Sequence, residues 1–285
     1  MSGSSGSNDR RVALVTGASR GIGKAVAVHL ARAGLDVALA ARSVREGEER
    51  EHSSSVTRSV TTALPGSLES TAALVTTAGA RALPVPLDLL DRSTLQPAVD
   101  RVLDEWGRID VLVNNGRYVG PGHMDQIIDT PVELYDRHLE ANVMAPIILT
   151  KLVLPGMLAR GEGVVINMTS ASGNMDPPAP AGEGGWGLGY GMSKAAMHRI
   201  AGIMNVELGA KGILAFNLHP GFVATERIAI DMAEFGFDAS AGASPDVVGA
   251  VAAWLATSPD ATALNGRWIE AQDLCRELGL VDEQR

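Results

Sequence analysis

Val12-Ala13-Leu14-Val15-Thr16-Gly17-Ala18-Ser19-Arg20-Gly21-Ile22-Gly23, followed by a mostly apolar stretch from Lys24 to Ala33, is the stretch on which the fold turns. Five β-prone residues lead into a glycine-rich turn, and the turn opens a helix. Glycine at Gly17 permits a tight reversal at the strand end. Gly21 lets backbone come close to an anionic group, and Gly23 allows the helix to pack tightly. The helix start then presents unpaired N–H groups and the positive end of its dipole to that anion. A glycine pattern alone is weak, but here it sits between a strand and a helix, the context that gives it meaning.

The same rhythm continues outward. Further apolar β-rich runs occur at Val37–Ala41, Ala82–Pro86, Ile109–Asn114, Val164–Met168, Ile213–Leu218 and Trp268–Glu270, with amphipathic stretches of helical length between them. Short, continuously apolar strands suit a parallel sheet covered on both faces. The expectation is an α/β, doubly wound Rossmann-type domain: a seven-stranded parallel sheet with helices on both sides, occupying residues 11–285 after a disordered lead or tag at 1–10. Thr130-Pro131-Val132-Glu133 reads as a capping box opening a helix to Arg160, and Ser244-Pro245 opens another helix. Two segments break the rhythm: Ser43–Gly66, polar and weakly periodic, and Gly173–Gly189, rich in glycine and proline. Loops this long in a compact domain are functional or disordered.

Composition narrows the function. The chain has 285 residues, 46% of them apolar but only 4% aromatic, so aliphatic packing and close backbone approaches must build the core. A net charge of −9 argues against nucleic acid as a partner. The single cysteine, Cys275, excludes an intrachain disulfide and fits a cytoplasmic setting. No apolar run near the bilayer-spanning length is expected, hence no membrane, and no His/Cys/Asp/Glu grouping has metal-ligand spacing.

A glycine-rich turn of this kind accepts a dinucleotide, and the end of the second strand decides which one. An NAD site places an acid there for the ribose 2′-hydroxyl. Here the strand ends Ala40-Ala41-Arg42, and Arg20 lies in the turn itself. Two guanidinium groups converging on that corner suit a 2′-phosphate, so NADP(H) is the expected cofactor. Asp88 and Leu89, just past the third strand, are candidates for the adenine side, although an acid there is also a common turn former.

The chemistry is expected at Tyr190-Gly191-Met192-Ser193-Lys194. Residues four apart share a helix face. A tyrosine of ordinary acidity is a poor base near neutral pH, and an ammonium beside it stabilises the phenolate. Such a pair can deliver or remove the hydroxyl proton that accompanies hydride transfer. Ser170 follows the strand Val164–Met168 at its carboxyl end, where parallel sheets bind ligands, and a hydroxyl there can hold a substrate oxygen. Asn142 falls inside the 130–160 helix against its propensity, which points to a bound water or a backbone contact.

Taken together these residues resemble the short-chain dehydrogenase/reductase family in its single-domain branch, from Val12 to about Glu270. Thr16-Gly17-x-x-x-Gly21-x-Gly23, Asn114-Asn115, Asn142, Ser170, Tyr190/Lys194 and Pro220-Gly221 occur in family order. The resemblance implies that Ser19, Arg20, Ile22, Asn115 and Gly116 line the cofactor with the glycines, and that Asn114 steadies the central strands. It implies that Asn142 holds a water in a proton relay, Ser170 orients the substrate oxygen, and Tyr190 is the acid/base. Lys194 would bind the nicotinamide ribose, and Pro220, Gly221, Val223 and Thr225 would line the nicotinamide. The segment ending Leu64-Pro65-Gly66-Ser67-Leu68 is similar to hydroxysteroid-dehydrogenase-like members.

Three positions depart from the pattern. Arg117 stands where the family has a glycine, Ser170 and Tyr190 are 20 residues apart, and the last strand ends Glu270-Ala271-Gln272. The expected function is an NADP(H)-dependent oxidoreductase interconverting a carbonyl and an alcohol, with an apolar small-molecule substrate, as a homotetramer or homodimer. A non-catalytic NADP-binding regulator, and enoyl reduction or epimerisation on the same fold, are the alternatives. His123 reads as a loop histidine without chemistry. The 173–189 loop reads equally as a substrate lid carrying Trp186 and as a passive surface loop.

Overall fold

The computed structural model describes residues 10–232, 235 and 238–281; of the expected 1–10 lead, residues 1–9 lie outside them. Among the described residues there are seven strands: β1 (Val12–Thr16), β2 (Asp36–Ala41), β3 (Ala82–Pro86), β4 (Val111–Asn114), β5 (Gly163–Met168), β6 (Ile213–His219) and β7 (Trp268–Glu270). They form one sheet in the order β3-β2-β1-β4-β5-β6-β7, parallel at every pairing. The order reverses between β1 and β4, so a crevice opens beyond their carboxyl ends, where such sheets bind ligands.

Side-chain alternation divides the core. Ala13 and Val15 of β1 belong to one buried cluster, packed with α1 (Gly21–Arg32), α2 (Leu68–Thr77), α7 (Pro245–Thr257) and α8 (Ala271–Leu278). Val12 and Leu14 point into the other, with α3 (Leu95–Trp106), α5 (Ala145–Arg160) and α6 (Leu188–Leu208). Both faces of the sheet are therefore dry, which explains why its strands are continuously apolar.

The expected helix from Thr130 differs in detail. α4 (Val132–Leu139) is capped by Pro131, whose side chain offers no hydrogen bond, so the capping box does not form. Thr130 instead gives its hydroxyl to the Gln126 carbonyl at 2.8 Å. The helix then passes through a π segment, Glu140–Met144, before α5. The expectation of no bilayer-length apolar run also needs correction. Val132–Arg160, 29 residues, is long and apolar enough by composition. Ala145, Leu149, Val153 and Met157 bury one side of it against the sheet, so its apolarity serves the core.

Candidate active site

The first turn has the expected build. Gly17 and Gly21 have φ of +67° and +53°, a region that favours glycine. A Cβ on Gly23 would lie 2.1 Å from the Gly17 carbonyl oxygen and 2.5 Å from Asn115 Nδ2, so Gly23 packs on the turn itself. Thr16 and Asn115 fix that turn. The Asn115 amide donates to the Thr16 carbonyl at 2.8 Å, and the Asn115 and Gly116 backbone N–H groups donate to Thr16 Oγ1 at 3.0 and 2.9 Å. Thus Asn115 positions the cradle. At the start of α1, the Gly21 N–H donates to Glu226 Oε2 at 3.0 Å, while Glu226 Oε1 sits 2.6 Å from Lys24 Nζ. A carboxylate of this chain thus occupies an anion position at the helix N-terminus. Nothing in the local sequence signals it, since Glu226 arrives from 205 residues away.

From this turn a continuous groove runs to Tyr190 and Lys194. Ser19, Arg20, Ile22, Arg42, Asp88 and Leu89 line its near end, as expected. The two arginines behave differently. Arg20 spends Nε and Nη2 on the carbonyls of Leu64, Pro65 and Gly66, so it anchors the end of the 43–66 segment. Arg42 makes no side-chain hydrogen bond or ion pair among the described residues. Asp88 Oδ1 accepts from the Leu90 N–H at 3.0 Å, a turn-forming role. The 43–66 segment is itself a wall of the groove, contributing Glu48, Arg50, Glu51, His52, Thr62 and Leu64. Its conformation rests on carboxylate-to-backbone bonds. Glu51 receives the Ser53 and Val60 N–H groups and the Ser59 hydroxyl, which hold its carboxyl down at about 2 despite burial.

At the far end, three strands carry an asparagine ladder. Asn114 Nδ2 donates to Asn167 Oδ1 at 3.0 Å, Asn167 Nδ2 to Asn217 Oδ1 at 3.3 Å, and Asn217 Nδ2 to the His198 carbonyl on α6. The ladder ties the sheet to the helix that carries Tyr190 and Lys194. Lys194 is buried and donates from Nζ to the Met168 carbonyl at 2.6 Å. Burial, with Arg117 adding to it, pushes this ammonium down to about 7. Lys194 Nζ lies 5.9 Å from the Tyr190 ring centre. Asn142 sits in the π segment, fully buried. Its Oδ1 accepts the Tyr118 N–H at 2.6 Å and its Nδ2 donates to Ser193 Oγ at 2.9 Å. The side chain therefore pins the segment after β4 to α6, and a relay water would meet Asn142 through its backbone. Local π geometry of this kind recurs at functional sites. Ser170 Oγ accepts from the Ser172 N–H and caps a short 3₁₀ turn. The groove wall beside it is Thr169, whose buried Oγ1 has no partner among the described residues.

The segment after β6 is held from an unexpected side. Gly221 has φ +70°, and a Cβ there would meet Gln272 Nε2 at 2.2 Å. That amide donates to the Pro220 and Phe222 carbonyls at 3.0 and 3.1 Å. The departure at the end of the last strand is thus a clamp on the Pro220-Gly221 turn. Pro220 and Thr225 line the groove, whereas Val223 is buried in the core, so only its backbone can face a ligand. Four residues of the 222–243 loop (233, 234, 236 and 237) lie outside the described residues.

Arg117 and His123 both stand beside Tyr190. The Arg117 guanidinium lies 5.6 Å from the Tyr190 ring centre. The His123 ring stands 4.4 Å from the Tyr190 ring and is buried. Burial, then Arg117 and Arg227, hold His123 well below the usual histidine range, so it is neutral. His138 is likewise lowered to about 4 by burial and Arg117. The 173–189 loop packs on this corner, with the Gly187 N–H donating to the His123 carbonyl at 2.8 Å. Trp186, half-buried, lies against Gly191.

Comparison with known proteins agrees with this architecture. The family described as short chain dehydrogenase matches residues 11–64 and 56–232. Dehydrogenase/reductase SDR family member 7 from Homo sapiens is 33% identical over 218 residues, 76% of this chain and 56% of that protein. The chain thus spans little more than half the length of that relative. Short chain dehydrogenase citE from Monascus ruber is 31% identical over 92% of this chain and 80% of its own length. Among solved structures, a putative dehydrogenase from Xanthomonas campestris superposes with TM-score 0.76 at 27% identity, covering 95% of this chain and 91% of that one.

Proposed function

Since this chain belongs to the short-chain dehydrogenase family, we propose that it is an NADP(H)-dependent oxidoreductase that interconverts a ketone or aldehyde and an alcohol, with Tyr190 as the acid/base. The observation that carries this reading is the single groove joining the Gly17–Gly23 turn to Tyr190 and Lys194. The residues fit a dinucleotide. A Cβ on Gly116 would come within 2.9 Å of Leu89 and 3.2 Å of the Gly17 nitrogen, a closeness of the walls that only glycine allows. The anion position at the α1 N-terminus is already taken by a carboxylate of the chain. The start of α1 would hold the pyrophosphate, Arg42 the 2′-phosphate, Lys194 the nicotinamide ribose, and Pro220 and Thr225 the nicotinamide. When bound, the nicotinamide supplies or accepts the hydride.

The chain's own part is proton handling and positioning. In reduction, Tyr190 gives its phenolic proton to the carbonyl oxygen as the carbon gains hydride; in oxidation it takes the proton back. Lys194 in its protonated form stabilises the phenolate, and Ser170 holds the substrate oxygen. Asn142 ties the segment after β4 to α6 through Tyr118 and Ser193. Calorimetry tests the cofactor assignment: NADPH binds more tightly than NADH, and Arg42→Asp narrows or inverts the difference. Equal affinities in the unaltered chain would refute it. An NADPH-consumption screen over ketones, aldehydes, steroids and acyl-thioester ketones then finds the substrate class.

A homotetramer or homodimer completes the proposal. Ile147, Ile148 and Leu152 of α5 are only partly buried, and Ile203 and Val206 of α6 are 48% and 86% exposed. Such an apolar strip on two neighbouring helices fits a two-fold interface. Light scattering at micromolar concentration that returns a monomer's mass contradicts it.

A further inference from the structure

The reacting end of the groove is unusually cationic. Arg117, Lys194 and Arg227 all reach its wall there. The groove's four acids, Glu48, Glu51, Asp88 and Glu226, are each engaged elsewhere. Glu48 binds Arg50 and the Val44 and Arg45 N–H groups. Glu51 takes Ser53, Ser59 and Val60, Asp88 takes the Leu90 N–H, and Glu226 takes Lys24 and Gly21. None of them meets Arg117, which among the described residues finds one acceptor, the Tyr118 carbonyl at 2.8 Å from its Nη1. The guanidinium carbon lies over the Tyr190 ring, 5.6 Å from its centre, close to His123 and His138. Both histidines are held neutral by burial and by this same cation, so neither offers an anion.

Arg117 is half-buried with no acid beside it, so its charge is only partly solvated and open to an anion, and its planar fork matches a carboxylate. Its position beside Tyr190, and the placing of the phosphate-binding helix start at the other end of the groove, distinguish it from the cofactor-holding residues. We propose that Arg117 binds a carboxylate carried by the substrate close to its reacting carbon, so that the carbonyl compounds this chain prefers are oxo acids and the alcohols hydroxy acids. The proposal rests on the oxidoreductase reading for its reaction, but the carboxylate site can be tested by binding alone.

The experiment is calorimetry on the NADPH-saturated protein with pyruvate, acetoacetate and levulinate, each against its primary amide, which keeps the carbonyl and removes the charge. At least one acid binds roughly 10- to 100-fold more tightly than its amide, the worth of one charge-assisted pair. Arg117→Gln abolishes that ratio, and Arg117→Lys, which keeps the charge without the fork, retains part of it. Because acid and amide are compared on the same protein, a general loss of folding or cofactor affinity cancels. No acid preference in the unaltered chain, or a preference that survives Arg117→Gln, overturns the assignment. NADPH consumption is followed in the same samples. A preference for the acid with no NADPH consumed would support the carboxylate site and count against the oxidoreductase reading.

Discussion

Replacing Asp125 by alanine should unfasten the 43–66 segment from the groove. Asp125 is 6% exposed and joins two loops. Its Oδ1 accepts from Ser55 Oγ at 2.6 Å, its Oδ2 from the Val56 N–H at 3.0 Å and from the Gly122 N–H at 2.7 Å. Hydrogen bonds to a charged acceptor contribute roughly 1.5–3 kcal/mol each when their donors are left without partners. Val56 is on the surface, so water can replace its lost acceptor. Ser54 also keeps its carbonyl bond to the Met124 N–H and its hydroxyl bond to Arg227. The net local loss is therefore about 3 kcal/mol, roughly a hundredfold in exchange protection. Because loops open locally, the loss falls on residues 52–57 and leaves the sheet intact. Hydrogen exchange read by mass spectrometry reports this directly. Protection across 52–57 drops about a hundredfold, strand protection stays, and NADPH affinity falls because Glu51, His52 and Thr62 leave the wall. Unchanged protection at 52–57 would refute the reasoning.

Three further outcomes follow from the same geometry. Lys194→Met in the cofactor-free protein raises the melting temperature at pH 7. The folded ammonium titrates at about 7 against an ordinary value of 10.5, so its burial penalty is full below 7. That penalty is relieved as pH rises toward 10.5, and the variant's advantage should shrink across that window; an advantage that grows with pH contradicts this. Glu226→Gln removes the carboxylate from the α1 N-terminus and tightens NADPH binding severalfold by lifting repulsion with the pyrophosphate, read by fluorescence titration; weaker binding would show that Glu226 supports the site. Gly23→Ala, whose Cβ would lie 2.1 Å from the Gly17 oxygen, abolishes cofactor binding and costs about 1–3 kcal/mol of stability. Retained binding would show that the turn is not the cradle.

What was legible in the sequence and what was not divides along a physical line. The five inner strands, buried on both faces, announce themselves by continuous apolar runs, and all seven, the part-exposed edges β3 and β7 included, lie within two residues of their expected positions. The glycines and the Tyr190/Lys194 pair also read directly, because local backbone geometry and helical spacing dictate them. The π segment at Glu140–Met144 did not, since its extra residue per turn leaves no compositional mark. The Thr130 box failed because its hydroxyl found a carbonyl four residues back. The clamp of Gln272 on Gly221, the placing of Glu226 on Gly21, and the anchoring of Arg20 on residues 64–66 are contacts between distant parts of the chain. Only the folded arrangement brings them together. The 43–66 segment eluded reading for the same reason. Its order comes from carboxylates bonded to backbone N–H groups, a pattern with no period.

In the proposed reaction Tyr190 transfers the proton that accompanies hydride transfer. The measurement that tests it most directly is single-turnover NADPH consumption by Tyr190→Phe beside the unaltered chain, with the best carbonyl substrate and with NADPH affinity measured on both. The account predicts turnover lower by roughly 10²–10⁴-fold, the worth of a positioned proton donor, with NADPH affinity preserved. Turnover at the unaltered rate in Tyr190→Phe would contradict it.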